Sequence, residues 1–384
     1  MSYSQPQPPQ PYPAPPRGVI PPYPVGFGEI FSASFSMIRR SPGVVFGASI
    51  LIPLLAAIAG CVAFMILLII TAPMATGGGT APYSFGWVDI VLMIALLGLL
   101  FVVAVAGAAA QSIVIENARD AVLGRKARVA QLWQRARPSL WRLVGLLFVQ
   151  AALALGAIAI LTLLFILVIF AGSGGGTAGL VLTVILGITL LCAIFPLSAW
   201  AGTKMALAPS IVVIEGAGPT SSILRSWRLT RGRFWVTFGV IFVLGLIAYM
   251  AAYLLSLPGA FAPLFGSLGS AGAASSADPG SAFAGMAIGS LIVMLIFSLI
   301  STAVQYAGYA IQSTAATLLY VDARMRHEGL HFRLQAHLQS LWNGVPKQQL
   351  GDPFTLAPVS YAPPGPPVPP TQQPGNPETP IPPG

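Results

Sequence analysis

Six long apolar stretches divide this chain, and every basic residue falls on one side of them. The stretches run approximately over 44–71, 89–112, 141–171, 179–202, 236–257 and 285–312. Each exceeds the roughly 20 residues that a helix needs to cross about 30 Å of hydrocarbon. Backbone groups in lipid must be paired within the segment, so the stretches are predicted to be helices. Three connections, at about 72–89, 171–178 and 258–284, contain no Lys or Arg; all 19 basic residues lie in the N-terminal segment, the other two connections and the C-terminal tail. Basic connections stay cytoplasmic during insertion, so both termini are expected inside, with the protein in the cell's inner (plasma) membrane. The acids divide less sharply, with Asp89 and Asp278 outside and the other eight inside.

Composition agrees. The chain is 55% apolar and 8% charged, whereas soluble domains carry about 25% charged residues. A net charge of +9 invites a nucleic-acid reading. Its placement beside apolar segments fits anionic lipid headgroups better, and no basic, aromatic-rich soluble module accompanies it. No nucleic-acid partner is expected. Cys61 and Cys192 lie within spans, which excludes a disulfide framework or zinc knuckle. No cleavable signal is expected, because the first 24 residues are Pro-rich and carry only Arg17 as a charge.

Residues 1–26 and 343–384 read as disordered cytoplasmic tails flanking a transmembrane domain at 27–342. Ten prolines fall within 1–24 and fourteen within 346–384, and proline favours extended, unpaired backbone. Pro363–Pro370 has the composition of a segment that docks on an aromatic groove; a solvated tail is the simpler reading.

A weak internal repeat organises the membrane part. An aromatic residue precedes Arg by four and Gly by twelve at Phe35, Arg39 and Gly47, again at Trp133, Arg137 and Gly145, and again at Trp227, Arg231 and Gly239. Each hairpin returns to an acid, at Glu116, Glu215 and Asp322, and the first two acids end the similar strings Ser112-Ile-Val-Ile-Glu116 and Ser210-Ile-Val-Val-Ile-Glu215. Three hairpins of similar design follow from this. Ahead of each odd-numbered span lies an apolar stripe at helical spacing: Phe31, Phe35 and Ile38; Val129, Leu132, Trp133 and Ala136; Ile223, Leu224 and Trp227. Such stripes beside arginine suit short helices lying in the headgroup layer. Pro42, Pro138 and Gly232 are placed to end them.

Three sets of residues invite chemistry. Arg39, Arg137 and Arg231 suit lipid phosphates; equally, they suit pairing with Glu116, Glu215 and Asp322, or simple orientation and snorkelling. His327-Glu328-Gly-Leu-His331 matches the H-E-x-x-H of zinc peptidases, with His337 beyond it. Leu334, however, stands where the extended motif needs glycine, and Gly329 weakens the helix that should present the ligands. No metal site is expected. Third, Gln305, Tyr309 and Gln312 share a face of the last span, as Tyr249 and Tyr253 do in the fifth, and Gln150 lies in the third. Such groups line pathways or simply hold helices together. No ionisable residue falls at mid-membrane, where coupled transporters usually need one. Gly285-x-x-x-Gly289 permits close helix contact, within or between monomers. No Walker loop, G-x-S-x-G or carboxylate cluster occurs, so neither an enzyme nor a cofactor is expected.

Several strings resemble a family of multi-pass membrane proteins of high-GC actinobacteria that often carries the label "glycerophosphoryl diester phosphodiesterase membrane domain". They are Phe27-Gly-Glu-Ile30 with Arg39-Arg40; Val213-Ile-Glu-Gly216; Ser226-Trp-Arg-Leu-Thr-Arg-Gly232 with Phe234-Trp235; and Tyr320-Val-Asp-Ala-Arg-Met-Arg326 with Glu328-Gly-Leu330. The resemblance spans about 27–335. The diesterase chemistry in the label belongs to a separate barrel with acidic metal ligands, which these residues do not hold, so the resemblance implies a membrane scaffold and no reaction. The chain is thus expected to be an all-α, six-span protein of three hairpin repeats. Its expected role is that of an accessory or scaffold protein in lipid or cell-envelope handling, contacting anionic headgroups, with a homo-oligomer or membrane-protein partner open. A permease or channel is the alternative, and a zinc peptidase a distant one.

Overall fold

The computed structural model describes residues 26–75, 86–125, 128–173, 176–273, 279–343 and 351–355. Among the described residues every regular element is helical. α1 (Phe27–Arg40) is followed by a π-helical entry (Gly43–Leu51) into α2 (Ile52–Ala75) and by α3 (Trp87–Val122). α4 (Val129–Ala136) passes through one 3-10 turn into α5 (Leu140–Ser173), α6 (Gly176–Met205) and α7 (Ala208–Glu215). α8 (Pro219–Leu229), α9 (Phe234–Ala273), α10 (Pro279–Glu328) and α11 (Leu330–Trp342) complete the chain. Six of these helical stretches are long and apolar enough to cross a membrane. Large apolar side chains such as Ile94, Leu163 and Phe170 point outward along them. A surface of that kind is stable against lipid and not against water, so the chain is an integral membrane protein. Most of the Pro-rich tails lie outside the described residues, as do the connections at 76–85 and 274–278.

The three-repeat reading survives in detail. Each repeat is a short amphipathic helix (α1, α4, α8), an outgoing span and a returning span. Pro42 lacks an N–H to extend α1, and the chain enters the first span in widened turns, with the Ser49 hydroxyl donating to the carbonyl five residues back at Val44. Pro138 sits in the 3-10 turn after α4, and Gly232 turns the chain after α8 at a φ of +88°, a conformation that disfavours any residue with a Cβ. Phe35, Trp133 and Trp227 have nearly the same exposure, 36%, 37% and 38%, so the repeat spacing corresponds to one environment. The repeats also close on one another. The entry into the first span packs on α4, α5 packs on α8, and α9 packs on α1. α3, α7 and α10 touch pairwise.

Packing is concentrated at this basic end. Ile30, Leu207, Ile211, Leu229, Val240 and Leu318 are among the residues of one buried cluster that joins all three repeats. In lipid, apolar surface gains little by leaving the hydrocarbon, so the outer halves of the spans stay exposed while the headgroup-level ends, which meet water, bury theirs.

Candidate functional site

The basic end holds two kinds of arginine. The first kind is engaged by acids. Glu116, Asp120, Glu215 and Asp322 are all buried, and a buried carboxylate needs a partner. Glu116 accepts from Arg119 at 3.3 Å, and Asp120 from Arg135 of α4 at 2.9 Å. Glu215, at the end of α7, lies 2.6 Å from Nε of Arg225 on α8. Asp322 pairs with Arg233, at the start of α9, and with Arg326 one turn on. The sequence places Arg39, Arg137 and Arg231 as candidate partners of Glu116, Glu215 and Asp322; the structure gives the acids to Arg119, Arg225 and Arg233 instead. Arg119 and Arg326 follow their acids at helical spacing, while Arg225 and Arg233 are reached only by packing between helices.

Around Glu215 a buried network forms. The Tyr320 hydroxyl donates to Glu215 Oε1 at 2.7 Å and accepts from Arg324 Nη1 at 3.1 Å. Arg324, 2% exposed, also donates to the Phe354 carbonyl at 2.9 Å and pairs with Glu328 at 2.8 Å. One turn before the acids sit Ser112, Ser210 and Thr317, all buried, with the Ser210 and Thr317 hydroxyls 3.1 Å apart. Thr317-Leu-Leu-Tyr-Val-Asp322 is therefore the third copy of the hydroxyl-to-acid string, which the sequence comparison matched only in the first two repeats.

A short piece of the C-terminal tail meets the core at Phe354. The 343–384 segment reads as disordered throughout, yet residues 351–355 are docked at the basic end. Phe354 is 1% exposed within the core cluster that joins the repeats, with the Arg119 guanidinium 5.5 Å from its ring centre. Asp352 pairs with Arg119, and Arg333 donates to the Thr355 carbonyl at 2.8 Å. One buried aromatic ring and three arginine contacts outweigh the local bias of the flanking prolines.

The H-E-x-x-H match does not form one helical face. Gly329 adopts a φ of +65°, ending α10 at Glu328 and letting α11 begin at Leu330. His327 and His331 thus belong to different helices, and Glu328 is held by Arg225 and Arg324. His331 Nδ1 lies 3.0 Å from the Met325 carbonyl. His337 is buried against Arg125, with Nε2 at 3.3 Å from Nη2. Desolvation, then the neighbouring cation, hold its pKa below the usual histidine value. Among the described residues no group of three or more His, Cys, Asp or Glu is placed to hold a metal ion.

The second kind of arginine has no acid. Arg39, Arg137 and Arg231 are exposed at the ends of the three amphipathic helices, and none makes a side-chain bond to a described residue. Among the described residues, Arg40, Arg128 and Arg228 also lack carboxylate partners. Of the polar residues in the last hairpin, Gln312 holds helices together, while Tyr249, Tyr253, Gln305 and Tyr309 are exposed. Gln312 donates to the Ile241 carbonyl of α9 at 3.1 Å, and a Cβ at Gly308 would overlap Ala248. The fold and this two-part basic end define a polytopic, all-helical membrane protein. No protein-family model, curated protein or solved structure matches the chain.

Proposed function

We propose that this is a non-catalytic accessory or scaffold protein of the plasma membrane, with both termini cytoplasmic, working in lipid or cell-envelope handling through contact with anionic headgroups at its basic end. The observation that carries this reading is the division of the arginines. Every described carboxylate already has a partner: Glu29 and Asp89 accept from the Gly26 and Gly86 amides at helix starts, and the other six pair with arginine. What remains for a ligand is positive charge at the ends of three amphipathic helices, where anionic lipid phosphates lie, each basic residue there contributing about 1 kcal/mol. A permease reading is less supported, because the last two spans pack through small residues and an interhelical hydrogen bond.

The test is reconstitution of the full chain in nanodiscs of mixed phosphatidylglycerol and phosphatidylcholine. Three exposed charges at about 1 kcal/mol each give marked enrichment of the anionic lipid around the wild-type protein. The Arg137→Gln single variant should lower that enrichment, and Arg39→Gln/Arg137→Gln/Arg231→Gln should abolish most of it. Unchanged enrichment in the triple variant would refute the reading.

A further inference from the structure

A cavity of about 300 Å³ opens where α1 turns into the first span, between that turn, the end of α3 and the start of α4. Arg40, Arg125 and Arg128 all line it, with Ser41, Asn117 and Val129 completing most of its wall. We infer that this cavity binds a phosphate group, from a lipid headgroup or from a free phosphate anion. The inference extends the headgroup contact proposed above from an exposed band of arginines to one half-open site, and rests on that reading for its lipid source only.

Four observations converge. Among the described residues no carboxylate lines the cavity, whereas two neighbouring cavities at the same end are lined by Glu328 and by Asp120 with Asp352. Arg40 Nε is buried without a hydrogen-bond partner, and such a donor is costly unless a ligand satisfies it. Arg125, which also borders the neighbouring cavity that holds Asp120 and Asp352, has His337 as its side-chain partner at 3.3 Å and makes no ion pair with a described carboxylate. Three like charges lining one small space repel each other, and a phosphate reverses the sign of that interaction. Val129 is the first residue of α4, whose start is closed by Gln131 Oε1 on the Arg128 amide at 3.4 Å and by no side chain of Arg128 itself, so the helix adds its partial positive charge to the same wall.

The walls are built. Asn117 Nδ2 donates to Ser41 Oγ at 2.8 Å, tying the end of α3 to the end of α1, and Ser41 donates to the Met37 carbonyl. Val44, Ala48, Leu132 and Ala136 pack in one small cluster beneath. The volume is at the small end of the roughly 300–1,000 Å³ of ligand pockets, which suits a headgroup and excludes acyl chains. Guanidinium forks match phosphate oxygens two at a time, which fits arginine at all three positions.

The experiment uses the full chain in a neutral mild detergent, titrated by calorimetry with dioctanoyl phosphatidic acid, with inorganic phosphate, and with dioctanoylglycerol as the phosphate-free control. Wild-type protein should bind one phosphatidic acid saturably and no dioctanoylglycerol. Arg40→Gln/Arg128→Gln should bind about tenfold or more weakly, since charge-assisted bonds are lost, a greater loss than in Arg39→Gln/Arg137→Gln/Arg231→Gln, which removes only surrounding charge. Arg40→Lys/Arg128→Lys keeps the charges that support folding but not the forks, and should bind several-fold more weakly than wild type. Inorganic phosphate competing with phosphatidic acid at the same site would identify a soluble source; no effect of phosphate would identify the lipid. Wild-type binding in the Arg40/Arg128 variants, or equal weakening in both sets, would overturn the site. Loss in the Arg40/Arg128 set alone, with nanodisc enrichment unchanged in the other set, would overturn the exposed band and keep the cavity.

Discussion

Replacing Phe354 by Ala should release the C-terminal strap. The ring is 1% exposed and belongs to the core cluster that joins all three repeats. Truncating a buried Phe to Ala costs about 3–5 kcal/mol, and each 1.4 kcal/mol is tenfold in an equilibrium. The docking equilibrium of residues 351–355 should therefore fall roughly a hundredfold to a few thousandfold. Backbone contacts survive the change in principle, since Arg324 bonds the Phe354 carbonyl and Arg333 the Thr355 carbonyl. Without the ring, however, those bonds must hold an otherwise unanchored chain against water and its conformational entropy. Hydrogen–deuterium exchange reads the result at the Phe354 amide, which donates to Asp352 Oδ1 at 3.1 Å. Protection at this amide should be clear in the wild type and lost in the variant, while protection in the centre of α10 is kept. Free-chain exchange at Phe354 in the wild type, or equal protection in both proteins, would refute the docked strap.

Three further perturbations follow from the same geometry. Tyr320→Phe keeps the ring and deletes the hydroxyl between Glu215 and Arg324, which should lower stability by about 1.5–3 kcal/mol, read as the midpoint of denaturant unfolding in mild detergent; an unmoved midpoint would contradict the network. His337 has its folded pKa lowered from the model-peptide value of 6.5, so the unfolded chain takes the proton first as pH falls. Its contribution is complete above about pH 6.5 and declines as pH drops through that value toward the folded pKa, and His337→Gln should flatten this part of a melting-temperature profile between pH 5.5 and 8. An identical slope in both proteins would exclude His337 as the source. Gly308→Leu places atoms where Ala248 already lies and should cost about 1–3 kcal/mol or more, separating α9 from α10; normal elution and unfolding of the variant would show that the last hairpin is loosely packed.

The spans and the repeat were legible because both depend on local pattern: apolar length for the spans, and a fixed spacing from aromatic to Arg to Gly for the repeats. Their ends were not. The apolar stretch at 89–112 continues as helix to Val122, because past the hydrocarbon the helix is held by buried polar contacts that hydropathy does not register. Glu116, Glu215 and Asp322 stood out as recurrent acids, and the structure buries all three. Their partners did not stand out, since Arg225 and Arg233 reach them through helix packing with no signature in spacing. The docked strap was hidden by proline composition, although Phe354 is the one phenylalanine in 343–384 and sits two residues from an acid. Nothing in the sequence sets Arg40 apart from Arg39; one step round α1 separates an exposed arginine from one whose Nε is buried.

The most direct test of the headgroup account is native mass spectrometry of the protein released from its own membrane in mild detergent. The account predicts a defined anionic phospholipid adduct that is diminished when Arg39, Arg137 and Arg231 are changed to Gln and when Arg40 and Arg128 are. Protein that carries no lipid, or a stoichiometric zinc mass that disappears in His331→Ala, would contradict it.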